Sequence, residues 1–231
     1  TYMNAYMFES CTSLKKIEIP DNVTGIDGAA FAECKELSDV VLSKNLKTMG
    51  WQVFGNDNKL TEIEIPKSLE ECRYYRNNDS IDGGTVDNCA NLKTVMFEDG
   101  TTEIAEGLFA GCTGIEQIRI PDTVTVIESG AFGGCINLKE IDVPNSVTEI
   151  QRSAFEYCSS LKTAKLSENL KSIGMYSFNN CTSLTEVHLS DILKEIPSNT
   201  FSGCKKLTTI NFPSTLTMIG NSAFSGCESL P

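Results

Sequence analysis

The sequence predicts a β-rich solenoid of the α/β class, in which about ten 23-residue coils stack as a right-handed superhelix of short parallel strands and turns with very little α-helix. Three observations carry that expectation. A phenylalanine returns every 23 residues, a cysteine follows it by three, and a leucine or isoleucine follows by three again. Units with such a fixed period bury their apolar faces only against one another.

The phenylalanine column reads Phe8, Phe31, Phe54, then Phe109, Phe132, Phe155, Phe178, Phe201 and Phe224. Val86 fills the missing slot, 32 residues after Phe54, so one repeat carries nine extra residues, placed at about 73–85. The cysteine column runs from Cys11 and Cys34 through Cys89, Cys112, Cys135, Cys158, Cys181 and Cys204 to Cys227, with Asp57 the one departure. Leu14, Leu37, Leu60, Leu92, Ile115, Leu138, Leu161, Leu184, Leu207 and Leu230 complete the pattern.

Within one repeat, Cys135 to Phe155, each element has its own reason. Leu138, Ile141 and Val143 end in a two-residue alternation, which reads as a short strand with one buried face. Pro144 ends it, having no N–H for a ladder, and proline recurs at Pro20, Pro66, Pro121 and Pro213. Val147 and Ile150 then point inward from a second, shorter extended side, and Cys72 falls in that isoleucine column rather than in the cysteine column. The small and polar run before Phe155 is too short for a full helix and reads as a turn or a single 3₁₀ turn. Each large side chain stacked this way contributes about 1.5–3 kcal/mol when both neighbouring coils are present.

A single ladder runs through residues 1–231, so one domain is expected, opening inside one repeat and stopping inside another as a truncated segment would. No apolar run reaches the length of a membrane-spanning helix, so no membrane insertion by this segment is expected. The net charge of −12 argues against nucleic acid and anionic membrane surfaces as partners.

The combination L-x-x-I-x-I-P, V-T-x-I and A-F-x-x-C at a period of 23, as in IPDTVTVIESGAFGGCINLKEIDVP, resembles the BspA-like, Treponema-type leucine-rich repeat over essentially the whole chain. Asp57, Val86 and the insertion depart from it. The resemblance implies a bacterial cell-surface or secreted protein, non-catalytic and without a cofactor, that binds a protein or another host or cell-surface macromolecule. It also implies that the sheet face, concave in a curved solenoid, is the contact surface. A structural spacer and the targeting module of a larger surface enzyme are the alternatives, and the isolated segment is expected to be a monomer.

Candidate sites follow from what breaks or decorates the pattern. The outward strand positions tile one face, seven of eighteen being acidic and three basic; Glu62, Glu64, Met96, Arg119, Glu140, Asp142, Lys165, Glu186 and His188 are its candidate ligand-binding residues. Alternating strands put polar residues in water in any case. In the insertion, Tyr74, Tyr75 and Arg76 are candidate interface anchors, the alternative being a tolerated surface loop. Asp79 and Asp82 lack the ligand spacing of a calcium loop.

Ten cysteines invite a metal or disulfide account. Nine recur in one column without close pairs, as small apolar packing residues would; inter-coil disulfides are the alternative, and zinc lacks clustered ligands. His188, the single histidine, lies outward beside Glu186 with no nucleophile motif near it. The acid pairs Glu62/Glu64 and Glu140/Asp142 stand on an open strand face that offers no pocket for general acid–base work. No catalytic residue and no metal ligand is therefore assigned. Sequons at Asn22, Asn78 and Asn180 carry no meaning in a bacterial source.

Overall fold

The structure, a computed structural model, describes residues 1–73, 75–77, 80–82 and 84–231. Among them the regular elements are strands joined by turns, with no helix, so the kinship with α/β folds does not extend to helical content. The coils are numbered here by their spine residue, from Phe8 in coil 1, with Val86 in coil 4, to Phe224 in the partial coil 10.

Each full coil has a longer and a shorter extended side, as the two-sided repeat predicts. The longer strands are Lys16–Glu18, Asp39–Val41, Glu62–Ile65, Thr94–Phe97, Glu140–Asp142, Thr163–Lys165, Glu186–His188 and Thr209–Ile210. All their pairings are parallel, with residues 23 apart opposite each other except across the insertion, where Thr94 meets Glu62. The shorter strands pair likewise, Ile127 with Ile150 and Met49 with Cys72, which confirms Cys72 in the isoleucine column. Each strand-ending proline opens a turn: the amides of Val23, Leu69, Val124, Val147 and Leu216 donate to the carbonyls of Pro20, Pro66, Pro121, Pro144 and Pro213.

The core is a set of stacked columns. Rings of Phe31, Phe54, Phe109, Phe132, Phe155, Phe178 and Phe201 are fully buried, and neighbours in the spine stack at 5.1–5.6 Å between centroids. Val86 interrupts the spine but stays buried. All ten thiols are free. The repeated cysteine is a hydrogen-bond donor as well as a packing residue: Cys135, Cys158, Cys181, Cys204 and Cys227 each donate from Sγ to the carbonyl of the spine phenylalanine one coil earlier, at 3.2 Å. Burial pushes the thiols up, Cys112 to about 11 and Cys204 to about 12.

The stretch around each spine residue is a turn, as expected, closed by i→i+3 bonds such as Glu156 N–H to Ser153 and Cys158 N–H to Phe155. Residues two before and two after the phenylalanine take positive φ, for example Ser153 (56°) and Tyr157 (60°) around Phe155. Gly130 and Gly134 hold the same places around Phe132, where the left-handed region carries no Cβ clash.

The ladders are not continuous. The insertion separates the shorter-strand sheet into one part ending at Glu71–Cys72 and another beginning at Glu103–Ile104, and it carries an antiparallel pairing of Tyr75–Asn77 with Ser80–Asp82. On the longer side no ladder joins coil 2 to coil 3, and none joins coil 4 to coil 5, whose residues 117–119 contribute only an isolated bridge from Arg119 to Asp142.

Candidate functional site

The face built by the longer strands is the largest feature left over once packing has used the inward side chains. Strand alternation sends Ile63, Ile141, Ala164 and Val187 into the core and leaves their neighbours exposed. Parallel register then aligns the exposed residues in two rows. One row brings Glu62 beside Thr94 and runs Glu140, Thr163, Glu186; the other brings Glu64 beside Met96 and runs Arg119, Asp142, Lys165, His188. All nine face residues singled out from the sequence therefore lie on one surface, and all nine are exposed. Met96 is 44% exposed, a large apolar side chain in a polar row.

Charges on and beside this face are partly paired. Lys165 reaches Asp142 at 3.3 Å, and Lys16 reaches Asp39 at 2.8 Å. At the face's edge Glu116 is held by Lys93 at 3.1 Å and by Lys139 at 2.5 Å, and these two cations lower its carboxyl below the usual range. Exposed pairs of this kind are screened by water, so they orient side chains more than they hold the fold.

Three depressions meet around Arg119. A groove of about 600 Å³ is lined by residues of four successive coils, Lys93 and Thr94, Gln117 and Arg119, Glu140 and Asp142, and Thr163 and Lys165. A second of about 490 Å³ adds Asp122 and Asn145, and a third of about 540 Å³ reaches Met96 and Phe97. The sequence pointed to Arg119, Met96 and Lys165 and placed Gln117 and Thr163 on the same outward face without choosing them, but missed Lys93. The available signal was that coils 4 and 5 carry no carboxylate at outward strand positions while coils 3 and 6 each carry two.

Of the insertion candidates, Tyr74 lies outside the described residues, and for Tyr75 and Arg76 only the backbone strand is described. Among the described residues no group of three His, Cys, Asp or Glu side chains could hold a metal ion, and no helix is long and apolar enough to cross a membrane.

Asp57 was legible only as a departure from the cysteine column. In the fold it is fully buried, and neither carboxylate oxygen has a hydrogen-bond partner among the described residues. Burial pushes its carboxyl up to about 8.

Parallel coils of this length, a phenylalanine spine, a donor-cysteine column and an exposed strand face together define a leucine-rich-repeat solenoid. The family model described as "BspA type Leucine rich repeat region (6 copies)" matches residues 1–112, 68–147 and 102–231. The chain belongs to that family. No curated protein matches it. Among solved structures, the chain is similar to a leucine rich cell surface protein from Faecalibacterium prausnitzii, at 22% identity and a TM-score of 0.52, with 100% of this chain and 82% of that one covered. It is also similar to the pneumococcal vaccine antigen PcpA, at 16% identity and a TM-score of 0.51, over 99% of this chain and 64% of that one. A leucine-rich repeat protein from Bacteroides ovatus matches at 23% identity, covering 100% and 81%, with a TM-score of 0.42.

Proposed function

We propose that this chain is a non-catalytic binding module of a cell-surface or secreted protein, contacting a protein or another host or cell-surface macromolecule through its longer-strand face. The observation that carries the reading is the pair of exposed rows, which run through Glu62, Glu64, Met96, Arg119, Glu140, Asp142, Lys165, Glu186 and His188 without serving the core. Membership of the BspA-type family supports it, as do the cell-surface and vaccine-antigen descriptions of two similar structures. Binding proceeds by rigid display: stacked coils fix the strand positions before the partner arrives, so little ordering entropy is lost at the face. The net charge of −12 and the acids in both rows favour a partner with a basic or mixed surface. Tyr74, Tyr75 and Arg76 of the insertion are proposed as accessory contacts.

The test is capture from extracellular-matrix and mucosal extracts on immobilised protein, with bound proteins identified by mass spectrometry. Three forms are compared: the intact chain, a form lacking residues 74–82, and a form with Glu62, Glu64, Glu140 and Asp142 changed to their amides. A specific partner lost with the face variant, and weakened with the loop deletion, supports the reading. A folded chain that captures nothing would make it a spacer instead.

A further inference from the structure

The break in the longer-strand sheet between coils 4 and 5 falls where the exposed face changes its chemistry. Among the described residues no backbone–backbone hydrogen bond joins residues 93–98 to residues 115–120; only the Lys93 side chain reaches across, to Glu116. The amides of Thr94 and Glu98 donate back to Thr61 and Ile65 in coil 3. By strand alternation, the N–H and C=O groups of Val95 and Phe97 therefore point across the seam and find no ladder there. The inward side chains beside it are under-covered: Val95 and Ile118 are only partly buried, whereas Ile63 and Ile141 are 1% and 3% exposed.

The sequence marks the same place. Phe97 stands in a column that otherwise reads Ile19, Leu42, Ile65, Ile120, Val143, Leu166 and Leu189 up to Phe212. Its ring meets Phe109 of coil 5 edge-on at 6.2 Å, on the side where the ladder parts.

Charge then distinguishes this seam from the one between coils 2 and 3. There the groove is about 310 Å³ and is bordered by Glu64 and Glu98 as well as Lys44. Here the two coils present Thr94, Met96, Gln117 and Arg119. Lys93 and Lys165 are already bound to Glu116 and Asp142, while Arg119 has no carboxylate within 4.0 Å among the described residues.

We propose that the coil 4–coil 5 seam is the docking line for an extended, carboxylate-bearing segment of a partner polypeptide. It lays its backbone against the unpaired groups of Val95 and Phe97 and its carboxylate on Arg119. This rests on the face being protein-binding. Edge hydrogen bonding supplies affinity without sequence, alternate side chains drop onto Val95 and Ile118, and the guanidinium fork of Arg119 takes a carboxylate in two parallel bonds. Backbone groups spaced as in a strand favour a peptide over an acidic oligosaccharide, which has no matching repeat of donors and acceptors.

A random dodecapeptide library displayed on phage is selected against the whole folded chain, and enriched peptides are synthesised and measured by calorimetry. The expected peptides carry Asp or Glu among β-branched residues. Their affinity falls about tenfold or more in Arg119→Lys, which keeps charge but loses the fork. It falls similarly in Phe97→Ile, which restores the column's usual aliphatic side chain, and is unchanged in Lys171→Ala, an exposed residue on the shorter-strand side. N-methylation of alternate peptide amides abolishes binding. Circular dichroism confirms that each variant folds. Enriched peptides indifferent to Arg119→Lys and Phe97→Ile overturn the seam and leave the face as a binding surface. The absence of enriched peptides also overturns it, and the capture experiment then decides the fate of the wider reading. Binding of oligogalacturonate in place of any peptide, lost in Arg119→Lys, would make the site a carbohydrate groove and overturn the proposal too.

Discussion

Replacing Asp57 with cysteine should stabilise this chain, and by an amount that depends steeply on pH. Elsewhere in the column a thiol donates to the spine carbonyl of the preceding coil, as Cys89 does to Phe54 at 2.9 Å. The Asp57 carboxyl in that slot is fully buried and finds no hydrogen-bond partner among the described residues, so its charged form is disfavoured. An unfolded aspartate titrates near about 3.9, while burial raises the folded one to about 8. At pH 7 the unfolded chain has released this proton and the folded chain has largely kept it. Three pH units at about 1.4 kcal/mol each put the cost near 4 kcal/mol relative to a residue that does not titrate there.

The sign follows from the direction of the shift. A raised folded-state value favours folding most below about pH 4 and loses that contribution as pH climbs towards about 8, beyond which the deficit levels off. Glu36, Glu98 and Glu116, lowered by hydrogen bonds from or near lysines, are common to both proteins and cancel in the difference. Urea unfolding followed by the fluorescence of Trp51, the single tryptophan and six residues from Asp57, reports on the affected coils. Wild type and Asp57→Cys should unfold alike near pH 4 and diverge by about 4 kcal/mol at pH 7. A gap that stays constant from pH 5 to pH 8 would refute the burial of a neutral acid at this position.

Thiol chemistry and backbone conformation give two further expectations. In the folded chain a disulfide reagent at pH 8 should modify Cys11 and Cys227, the two partly exposed cysteines, and reach the eight buried ones only after denaturant is added; rapid modification of more than two would contradict the burial of the other eight. Tyr157→Gly, which relieves a φ of 60° at an exposed side chain, should raise stability by about 0.5–1 kcal/mol in urea titration. A loss of stability there would mean that the tyrosine ring packs more than its exposure suggests.

The fold was legible because a solenoid writes each contact into its sequence ten times over. One column of phenylalanine fixes a stack, since nothing but the next coil can cover each ring. Cys72 shows how far that reach extends: the period alone placed it in the isoleucine column, and Met49 pairs with it as the period requires. What the period could not carry lies where only one copy exists. Asp57 read as a blemish in a column, yet its meaning depends on the hydrogen bond that the other members make, and sequence spacing does not reveal a thiol's acceptor.

The face divides along the same line. Alternation put all nine candidate residues outward, because strand period and burial are local properties. Which of them lie side by side is set by coil-to-coil register, and the places where that register breaks are not written in the repeat pattern. Phe97 and Ile120 are equally apolar letters in the same column, and only packing tells them apart: Ile120 is 4% exposed in its slot, while the Phe97 ring stands edge-on to the next spine residue where the ladder parts. A repeat protein built from identical coils would present a uniform face. In this chain, substitutions at single positions of a conserved geometry are what give one stretch of that face its own shape and charge.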